Sequence, residues 1–436
     1  LTNLGGLGAA VSNNGLRAGS TIAFDTTNAS GSSFTIADNI ADSTGTGGGA
    51  IGVTKLGTNA LVLTGNNTYT GATTINAGTL EIGGSGRLGG GTYSGNIANS
   101  GTFLYNGTNS QTLSGIISGS GALTKNNTAD ITLSGNNTYT GATTINAGNL
   151  TISHSNALGT TAGNTTIASG AALLLQGDIT VAEAINLAST GFGGNNGGIR
   201  NVSGNNTLTG AITHTGAASV RITNAGGNLT INGTFTRSNS VNADAFITVQ
   251  NNTSGQMIFN NAVLMGNGSF EITGGGQAAL ARLAATGSTY RFLQVGWNGS
   301  LILDAANVLN STGILEMGEE STGQGDTANT GWLNLNGYSQ TVSELRTGAG
   351  ALAAGTGNVT RNITSATAAT LTVNGSTSST YDGTLTGALS LTKAGSSTLA
   401  LTGNNTYTGD TTINTGTLEV GGSGRLGGGK IGRAHV

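Results

Sequence analysis

The chain has 436 residues, of which 8% are charged and 4% aromatic, and its formal net charge is −3. With 36% hydrophobic residues and so small a net charge, it is not the low-hydrophobicity, high-charge chain that stays disordered. The lysines and arginines are scattered, which excludes a basic nucleic-acid binder. There is no cysteine, which excludes disulfides, thiolate catalysis and cysteine-based zinc sites.

Three near-identical blocks recur along the sequence. Residues 65–78 and 135–148 both read GNNTYTGATTINAG, and residues 403–416 read GNNTYTGDTTINTG. Each block follows a short apolar run and precedes another. A unit that recurs far apart along a chain predicts an architecture of stacked modules.

The first repeat predicts three short strands. Leu61 and Leu63 alternate with a valine, residues 73–75 form a second run, and residues 80–82 alternate apolar and charged side chains. Short runs with period two, bounded by glycine and asparagine turns, are typical of β-strands. We interpret the three strands as one coil of a β-helix, in which each strand pairs with its equivalent one coil above and below.

The spacing and composition support stacked coils. The first two blocks begin at residues 65 and 135, a separation that corresponds to about three coils of roughly 20–25 residues. Asparagines at the corners are expected to form ladders along the stack. Charged residues are rare because like charges at strand distance repel, and the absence of proline fits a sheet that uses every backbone N–H. The predicted fold class is an all-β parallel β-helix (β-solenoid) of short strands.

The ends of the sequence carry separate signals. The string GGSGRLGGG at residues 421–429 is followed by KIGRAHV, and residues 431–436 match the translation of a common sequencing-adapter oligonucleotide. We therefore interpret residues 430–436 as adapter read-through. The sequence opens at Leu1 without a methionine or a basic-then-apolar leader, so we expect a fragment.

The motif L-T-K-x-G-x-x-x-L-x-L-x-G-x-N-x-Y-x-G-x-T-x-I-x-x-G-x-L resembles the autotransporter-associated β-strand repeat, also called the passenger-associated transport repeat. Residues 391–418 fit it best; residues 53–80 begin with valine, and residues 123–150 carry Asn127 in place of the first glycine. We predict a single elongated β-helical, passenger-like region over residues 1–429, with repeats at about 53–91, 123–159 and 391–429.

The resemblance implies a right-handed β-helix and a bacterial passenger that is secreted or exposed at the cell surface, in association with the outer membrane. It implies a structural or adhesive rod without catalysis or a cofactor. Its expected partners are host or bacterial surface glycans or proteins, and not nucleic acid. A C-terminal β-barrel translocator is also implied, and no such segment is visible before Gly429, so it is missing or replaced by another anchor.

No catalytic, cofactor-binding or metal site is predicted. A serine-protease triad needs a histidine partner, and the histidines are His154, His214 and His435. His154 lies between Ser153 and Ser155, which we interpret as a surface coil. His214 has no obvious partner, and His435 falls within the predicted read-through.

The alternative function is a polysaccharide-acting β-helix enzyme, which predicts carboxylates that converge in a groove. The densest acidic patch could bind a divalent ion, although we favour a solvated loop; it consists of Glu316, Glu319, Glu320 and Asp326. A third possibility, an ice-binding solenoid, would need regular Thr-x-Thr ranks, which the sequence does not repeat at each coil.

Two further sets of residues recur with the repeats. Tyr69, Tyr139 and Tyr407 share one repeat position; they could stack on glycans, but we favour packing against the adjacent coil. Arg87 and Arg425 lie in glycine-rich strings that lack the Lys-Ser/Thr pair of a P-loop. We predict that both arginines project from a corner.

Overall fold

The computed structural model describes residues 16–44, 47–194, 196–216, 218–238, 246–251, 253–274, 280–318, 330–348, 360–422 and 424–433. The chain divides into two compact units, Leu1–Arg200 and Asn201–Val436. Nearly all regular structure in these ranges is β-strand, with single-turn 3₁₀-helices at Ser30–Ser32 and Gly89–Gly91. Over the same ranges, no helix has the length and apolar character needed to cross a bilayer.

The strands up to residue 201 are short. They are β1 (Thr21–Asp25), β2 (Ser33–Ile36), β3 (Gly52–Leu56), β4 (Ala60–Leu63), β5 (Thr73–Ile75), β6 (Thr79–Gly84), β7 (Thr92–Tyr93), β8 (Ile97–Asn99), β9 (Thr102–Gly107), β10 (Gln111–Leu113), β11 (Ile117–Ser118), β12 (Ala122–Lys125), β13 (Ile131–Leu133), β14 (Thr143–Ile145), β15 (Gly148–Ile152), β16 (Asn164–Ile167), β17 (Ala171–Leu175), β18 (Thr180–Val181), β19 (Ala184–Leu187) and β20 (Ile199–Asn201).

The strands after residue 201 include two that are longer than the rest, at residues 361–373 and 384–393. In chain order, the strands of this part are β21 (Asn206–Leu208), β22 (Ile212–His214), β23 (Val220–Asn224), β24 (Leu229–Ile231), β25 (Phe235–Arg237), β26 (Phe246–Asn251), β27 (Met257–Phe259), β28 (Val263–Leu264), β29 (Ser269–Thr273), β30 (Leu280–Leu283), β31 (Phe292–Val295), β32 (Gly299–Leu303), β33 (Ile314–Met317), β34 (Gly331–Asn334), β35 (Gln340–Val342), β36 (Glu344–Thr347), β37 (Arg361–Val373), β38 (Ser379–Tyr381), β39 (Thr384–Lys393), β40 (Thr398–Leu401), β41 (Thr411–Ile413), β42 (Thr417–Val420) and β43 (Ile431–Arg433).

In the first unit the strands stack in three parallel series. The series are β1-β3-β5-β8-β11, β2-β4-β6-β9-β12-β14-β16-β19 and β7-β10-β13-β15-β17. Successive members of a series are one coil apart: Val53 pairs with Thr73, and Thr73 pairs in turn with Ile97. The inward side chains stack at matching positions, and Leu61, Leu80, Phe103 and Leu123 form one such column with no exposed surface.

The second unit has the same construction with coils of less uniform length. Its main series are β23-β26-β29-β31-β33-β36, β24-β27-β30-β32-β34-β37-β39-β41-β43 and β38-β40-β42. The coil that joins Ile314 to its partner Glu344 is longer than the coil that joins Leu391 to its partner Thr411. The predicted all-β, parallel β-solenoid fold is therefore confirmed for the described parts of both units.

The internal layout of a repeat differs from the prediction. Strand β4 pairs in register with β6, so that Leu61 lies against Leu80, and β3 pairs with β5. The three predicted strands are therefore not three sides of one coil, and each repeat is a pair of stacked coils. In the second repeat β12 pairs with β14 and β13 with β15; in the third, β39 pairs with β41 and β40 with β42. Alternation of apolar residues identifies a strand but not the face of the solenoid to which the strand belongs, so the arrangement of the three strands was predicted wrongly.

The second repeat also begins one face further round the solenoid than the first. Leu61 and Leu123 belong to one series and lie three coils apart, through Leu80 and Phe103. The repeat position that Leu61 holds in the first copy is held in the second by Ile131, which lies in the next series. Interaction surfaces on the repeats consequently do not all point the same way.

Glycine at the end of each block is required by the close approach of coils. Gly148 has φ 69°, and a Cβ there would lie 2.7 Å from the carbonyl oxygens of Asn127 and Thr128 in the adjoining coil. A side chain would meet backbone there and would also adopt a disfavoured conformation. The equivalent Gly78 and Gly416 also have positive φ.

The C-terminal end of the sequence is only partly described. Residues 431–433 form β43, in which Ile431 pairs with Thr411, and residues 434–436 lie outside the described residues. The read-through interpretation of residues 430–436 and the single region over residues 1–429 both stay predictions.

Candidate functional site

The repeat tyrosines face the interior. Tyr139 has no exposed surface, and its hydroxyl lies 2.6 Å from Thr143 Oγ1. Tyr69 and Tyr407 are equally buried and make the same contact, at 2.8 Å to Thr73 Oγ1 and 2.5 Å to Thr411 Oγ1. Burial raises the pKa of Tyr139, so its phenol stays protonated. Packing against the coil is thus the role that the structure supports, and no ring face is available for a glycan.

The second asparagine of each block bridges neighbouring coils through its side-chain amide. Asn137 Oδ1 accepts a hydrogen bond from Ile117 N at 2.8 Å, and its Nδ2 donates to Ala157 O at 2.6 Å. Asn67 and Asn405 make the equivalent pairs of contacts, with donor–acceptor distances of 2.8 to 3.1 Å. Buried backbone N–H and C=O groups at this corner, where no strand pairing supplies partners, obtain their hydrogen bonds in this way.

At the second-asparagine position the predicted ladders do not form, because these amides bond to backbone and not to one another. Other asparagines of the second repeat do pair between coils: Asn146 Nδ2 donates to Asn126 Oδ1 at 2.7 Å, and Asn156 Nδ2 donates to Asn136 Oδ1 at 2.8 Å. A longer ladder exists in the second unit. Asn201 Nδ2 donates to Asn224 Oδ1 at 2.7 Å, and Asn224 Nδ2 donates to Asn251 Oδ1 at 3.0 Å. There the residues stand at matching strand positions, which the sequence spacing did not reveal.

Each repeat also contains a buried lysine that the sequence analysis missed. Lys55, Lys125 and Lys393 have no exposed surface, and their ammonium groups donate to turn carbonyls. Lys55 Nζ, for example, lies 2.7 Å from Gly57 O and 3.1 Å from Ala77 O. The signal was present: in L-T-K the lysine is two residues from an inward leucine, so it shares the inward face.

Burial lowers the pKa of Lys125 to about 8, against the opposing attraction of Asp130. Between pH 8 and the usual lysine range the unfolded chain binds a proton that the folded chain has lost. The free energy of unfolding should therefore rise with pH in that window. We expect the rise to be smaller in the Lys125→Met variant, in which only Lys55 and Lys393 keep lysine pKa values lowered by burial, whereas Lys430→Met, at an exposed position, should keep the full rise. Urea titrations from pH 7.5 to 10 check this, and parallel curves for wild type and Lys125→Met would contradict it.

A buried carboxyl group lies close to the second repeat. Glu183 is 4% exposed; its Oε1 accepts a hydrogen bond from Thr165 Oγ1 at 3.0 Å. Its Oε2 has no partner among the residues that the structure describes. Burial raises the pKa of Glu183 to about 7, with the Thr165 hydrogen bond opposing the shift.

This carboxyl should make stability depend on pH in the opposite direction. Between about pH 4.5 and 7 the folded chain keeps a proton on Glu183 that the unfolded chain has lost. Its contribution to the free energy of unfolding is complete below that window and is lost as the pH rises through 7. We expect the gain in stability of Glu183→Gln over wild type to grow between pH 5 and 8. Denaturant midpoints measured for both proteins test this, and a constant difference would refute it.

The histidines considered in the sequence analysis lie in different settings. His154 Nδ1 accepts a hydrogen bond from Asn156 N at 3.0 Å in a surface turn, as predicted. His214 is fully buried, lies 2.9 Å through Nε2 from Ala218 O, and has a pKa lowered by burial. His435 lies outside the described residues.

The acidic patch is only partly described. Glu316 is 3% exposed; its Oε2 accepts from Arg346 Nε at 2.7 Å and its Oε1 from Gln294 Nε2 at 2.9 Å. The solvated-loop interpretation is therefore wrong for Glu316, which lies in strand β33 and is paired across the sheet. Glu344 also contacts Arg346, at 3.5 Å. The rest of the patch, Glu319, Glu320 and Asp326, lies outside the described residues.

Threonines stack in single files on the outward faces. One file crosses three coils of the first unit and another crosses four coils of the second; they are Thr92-Thr112-Thr132 and Thr341-Thr372-Thr392-Thr412. The first file ends at Thr151, which pairs with Thr132 but is buried. Across the described ranges no cluster of three or more His, Cys, Asp or Glu side chains could hold a metal. These outward polar positions are thus the candidate contact surface.

A corner groove interrupts this surface at the first repeat. Its volume is about 440 Å³, and its walls include Asn39, Asn66, Arg87 and Asn109. Arg87 forms an isolated parallel bridge with Asn66, and Arg425 forms the same bridge with Asn404. Both arginines therefore lie at corners, as predicted. Arg87 is half-buried, whereas Arg425 is exposed.

Comparisons with known proteins agree with this geometry. The Passenger-associated-transport-repeat family model matches residues 53–82, 123–152 and 391–420. The chain is also similar to the "Adhesin BmaC autotransporter" of Brucella suis biovar 1 (strain 1330), with 32% identity over 258 residues. The alignment covers 52% of this chain and spans 7% of the length of that relative. No solved structure matches the chain.

The matched segments coincide with the two-coil units. Each contains four strands that pair two by two, a buried lysine, a bridging asparagine and a buried tyrosine. The family predicted from the motif is thus confirmed over these segments. The chain carries three copies of the passenger-associated transport repeat, each built as two stacked coils of a parallel β-solenoid.

Proposed function

We propose that this chain is part of a bacterial passenger, exposed at the cell surface or secreted, that acts as a structural and adhesive rod without catalysis. The observation that carries the proposal is the occurrence of three passenger-associated transport repeats inside a parallel β-solenoid. The relative named as an autotransporter adhesin supports the same role. Surface glycans or proteins are the proposed partners, with a translocator or other anchor for display.

The distribution of side chains supports adhesion over catalysis. The buried polar groups of the repeats are used in stacking, as Tyr139, Asn137 and Lys125 illustrate. Glu316 and Glu344 come together at Arg346, which both contact, and both are nearly buried. Outward positions carry threonine and asparagine, which can hydrogen-bond to hydroxyls and amides of another surface.

The test is a gain-of-adhesion experiment. The full chain is fused to an unrelated outer-membrane anchor, displayed on a non-adherent bacterium, and quantified through an epitope tag. We expect attachment to host cells or to sister cells above that of the anchor alone at equal display. Equal attachment by both strains would contradict the adhesive role.

The enzymatic alternative has its own test. The purified chain is incubated with plant and bacterial polysaccharides, and released reducing ends and unsaturated products are measured. We expect no product above a boiled-protein control. Turnover that disappears in Glu316→Gln or Glu344→Gln, with the fold retained, would favour the enzyme.

A further inference from the structure

The corner groove of the first repeat is built by four successive coils, each of which contributes one polar side chain. Asn66 N donates to Asn39 Oδ1 at 2.7 Å, and Asn109 Nδ2 donates to Ser85 O at 3.0 Å. These contacts hold the line of side chains in place from one coil to the next. The groove is a shallow, open and mostly polar depression of about 440 Å³.

The head group of Arg87 is free for a ligand although its backbone is fixed. Arg87 O accepts hydrogen bonds from Asn67 N at 3.0 Å and from Asn67 Nδ2 at 3.1 Å. Over the described part of the chain, the guanidinium has no hydrogen bond and no ion pair. A planar guanidinium offers parallel donors that match a carboxylate.

The arginine is not needed for stacking, which separates it from the structural residues of the repeat. In the second repeat the equivalent position is Ala157, and Asn137 Nδ2 still donates to its carbonyl oxygen. The coil therefore forms with alanine as well as with arginine. The Arg87 side chain is therefore not required for the coils to stack.

The remaining walls favour a polyhydroxylated ligand. Asn39, Asn66 and Asn109 are amides that can both donate to and accept from hydroxyls. The neighbouring Tyr69 and Tyr105 are fully buried, so stacking on an aromatic ring is not offered here.

We propose that this groove binds a carboxylated saccharide, with Arg87 on the carboxylate and the three asparagines on sugar hydroxyls. The inference deepens the proposed adhesive function by assigning a ligand class to one surface of the first unit. Its failure would leave the adhesion experiment above unaffected, so the two can be told apart.

The test uses the purified full chain and titration calorimetry. The probes are an oligogalacturonate, a neutral oligosaccharide of equal length, a sulfated oligosaccharide and inorganic phosphate. We expect binding of the oligogalacturonate in preference to the other three. Arg87→Gln removes a charge-assisted pair of hydrogen bonds and should weaken the affinity for the oligogalacturonate about tenfold or more. Arg425→Gln removes the same charge from an exposed corner and should leave the affinity unchanged.

Three results would overturn the proposal. They are equal binding of the neutral and carboxylated probes, preference for sulfate or phosphate, and equal loss of affinity in the two arginine variants. Circular dichroism of Arg87→Gln should match wild type, because the equivalent coil at Ala157 stacks without an arginine side chain. If Arg87→Gln nevertheless failed to fold, the test would use Asn66→Ala and Asn109→Ala, which change an exposed and a half-buried side chain. The proposal predicts that both variants bind the oligogalacturonate more weakly than wild type, and unchanged binding would overturn it.

Discussion

The Tyr139→Ala variant is expected to lose about 4 kcal/mol of unfolding free energy. The ring is fully buried between coils, so its removal leaves a cavity and strands the hydroxyl of Thr143 without its 2.6 Å partner. Stacked coils depend on their nearest neighbours, so the damage should extend to the adjoining coils. Urea unfolding and amide hydrogen exchange over residues 117–167 measure both effects.

The control for this variant is Tyr338→Ala. Tyr338 is 39% exposed and should contribute less than about 1 kcal/mol. If Tyr139→Ala left stability unchanged while it reduced glycan binding, the tyrosine would be a ligand contact and its interior placement would be wrong.

The Asn137→Ala variant is expected to cost about 3 kcal/mol. Its amide satisfies Ile117 N on one side and Ala157 O on the other, and truncation leaves both buried backbone groups without partners. Each unsatisfied group costs about 1–3 kcal/mol. Denaturant titration gives the loss, and hydrogen exchange at the Ile117 amide should accelerate.

Asn136→Ala is the matched control one residue away. Asn136 is exposed, and its Oδ1 accepts only the Asn156 Nδ2 hydrogen bond at 2.8 Å among the contacts described. We expect a loss below about 1 kcal/mol. Equal losses in the two variants would mean that the bridge between coils does not carry the stability assigned to it.

Much of this fold was predictable because stacking leaves strong local signals. The alternation of residues 61–63 arises because successive side chains of a strand point to opposite faces. Gly148 is needed because the backbone of the adjoining coil leaves no room for a side chain. The prediction that the repeat tyrosines pack against the adjacent coil was also correct. Single-chain periodicity does not encode which strands share a face, so the pairing of β4 with β6 was missed.

The polar interior was harder to predict than the apolar one. Lysine is almost never fully buried, and so Lys125 was passed over although it shares a face with Leu123. The roles of Asn137 and Arg87 depend on residues that are distant in sequence and belong to other coils. The candidate groove could not be seen from sequence, since Asn39 and Asn109 belong to no repeat.

The account rests on each repeat being two stacked coils, and cross-linking of engineered cysteines tests this most directly. Val62 and Glu81 are Cα partners in adjacent coils, both half-buried, and the natural chain has no cysteine. Partners at strand distance are within reach of a disulfide. The Val62→Cys/Glu81→Cys chain should oxidise readily to an intramolecular disulfide without loss of fold, and Val62→Cys/Thr132→Cys, at equivalent positions of two repeats, should not. The reverse outcome would contradict the two-coil repeat.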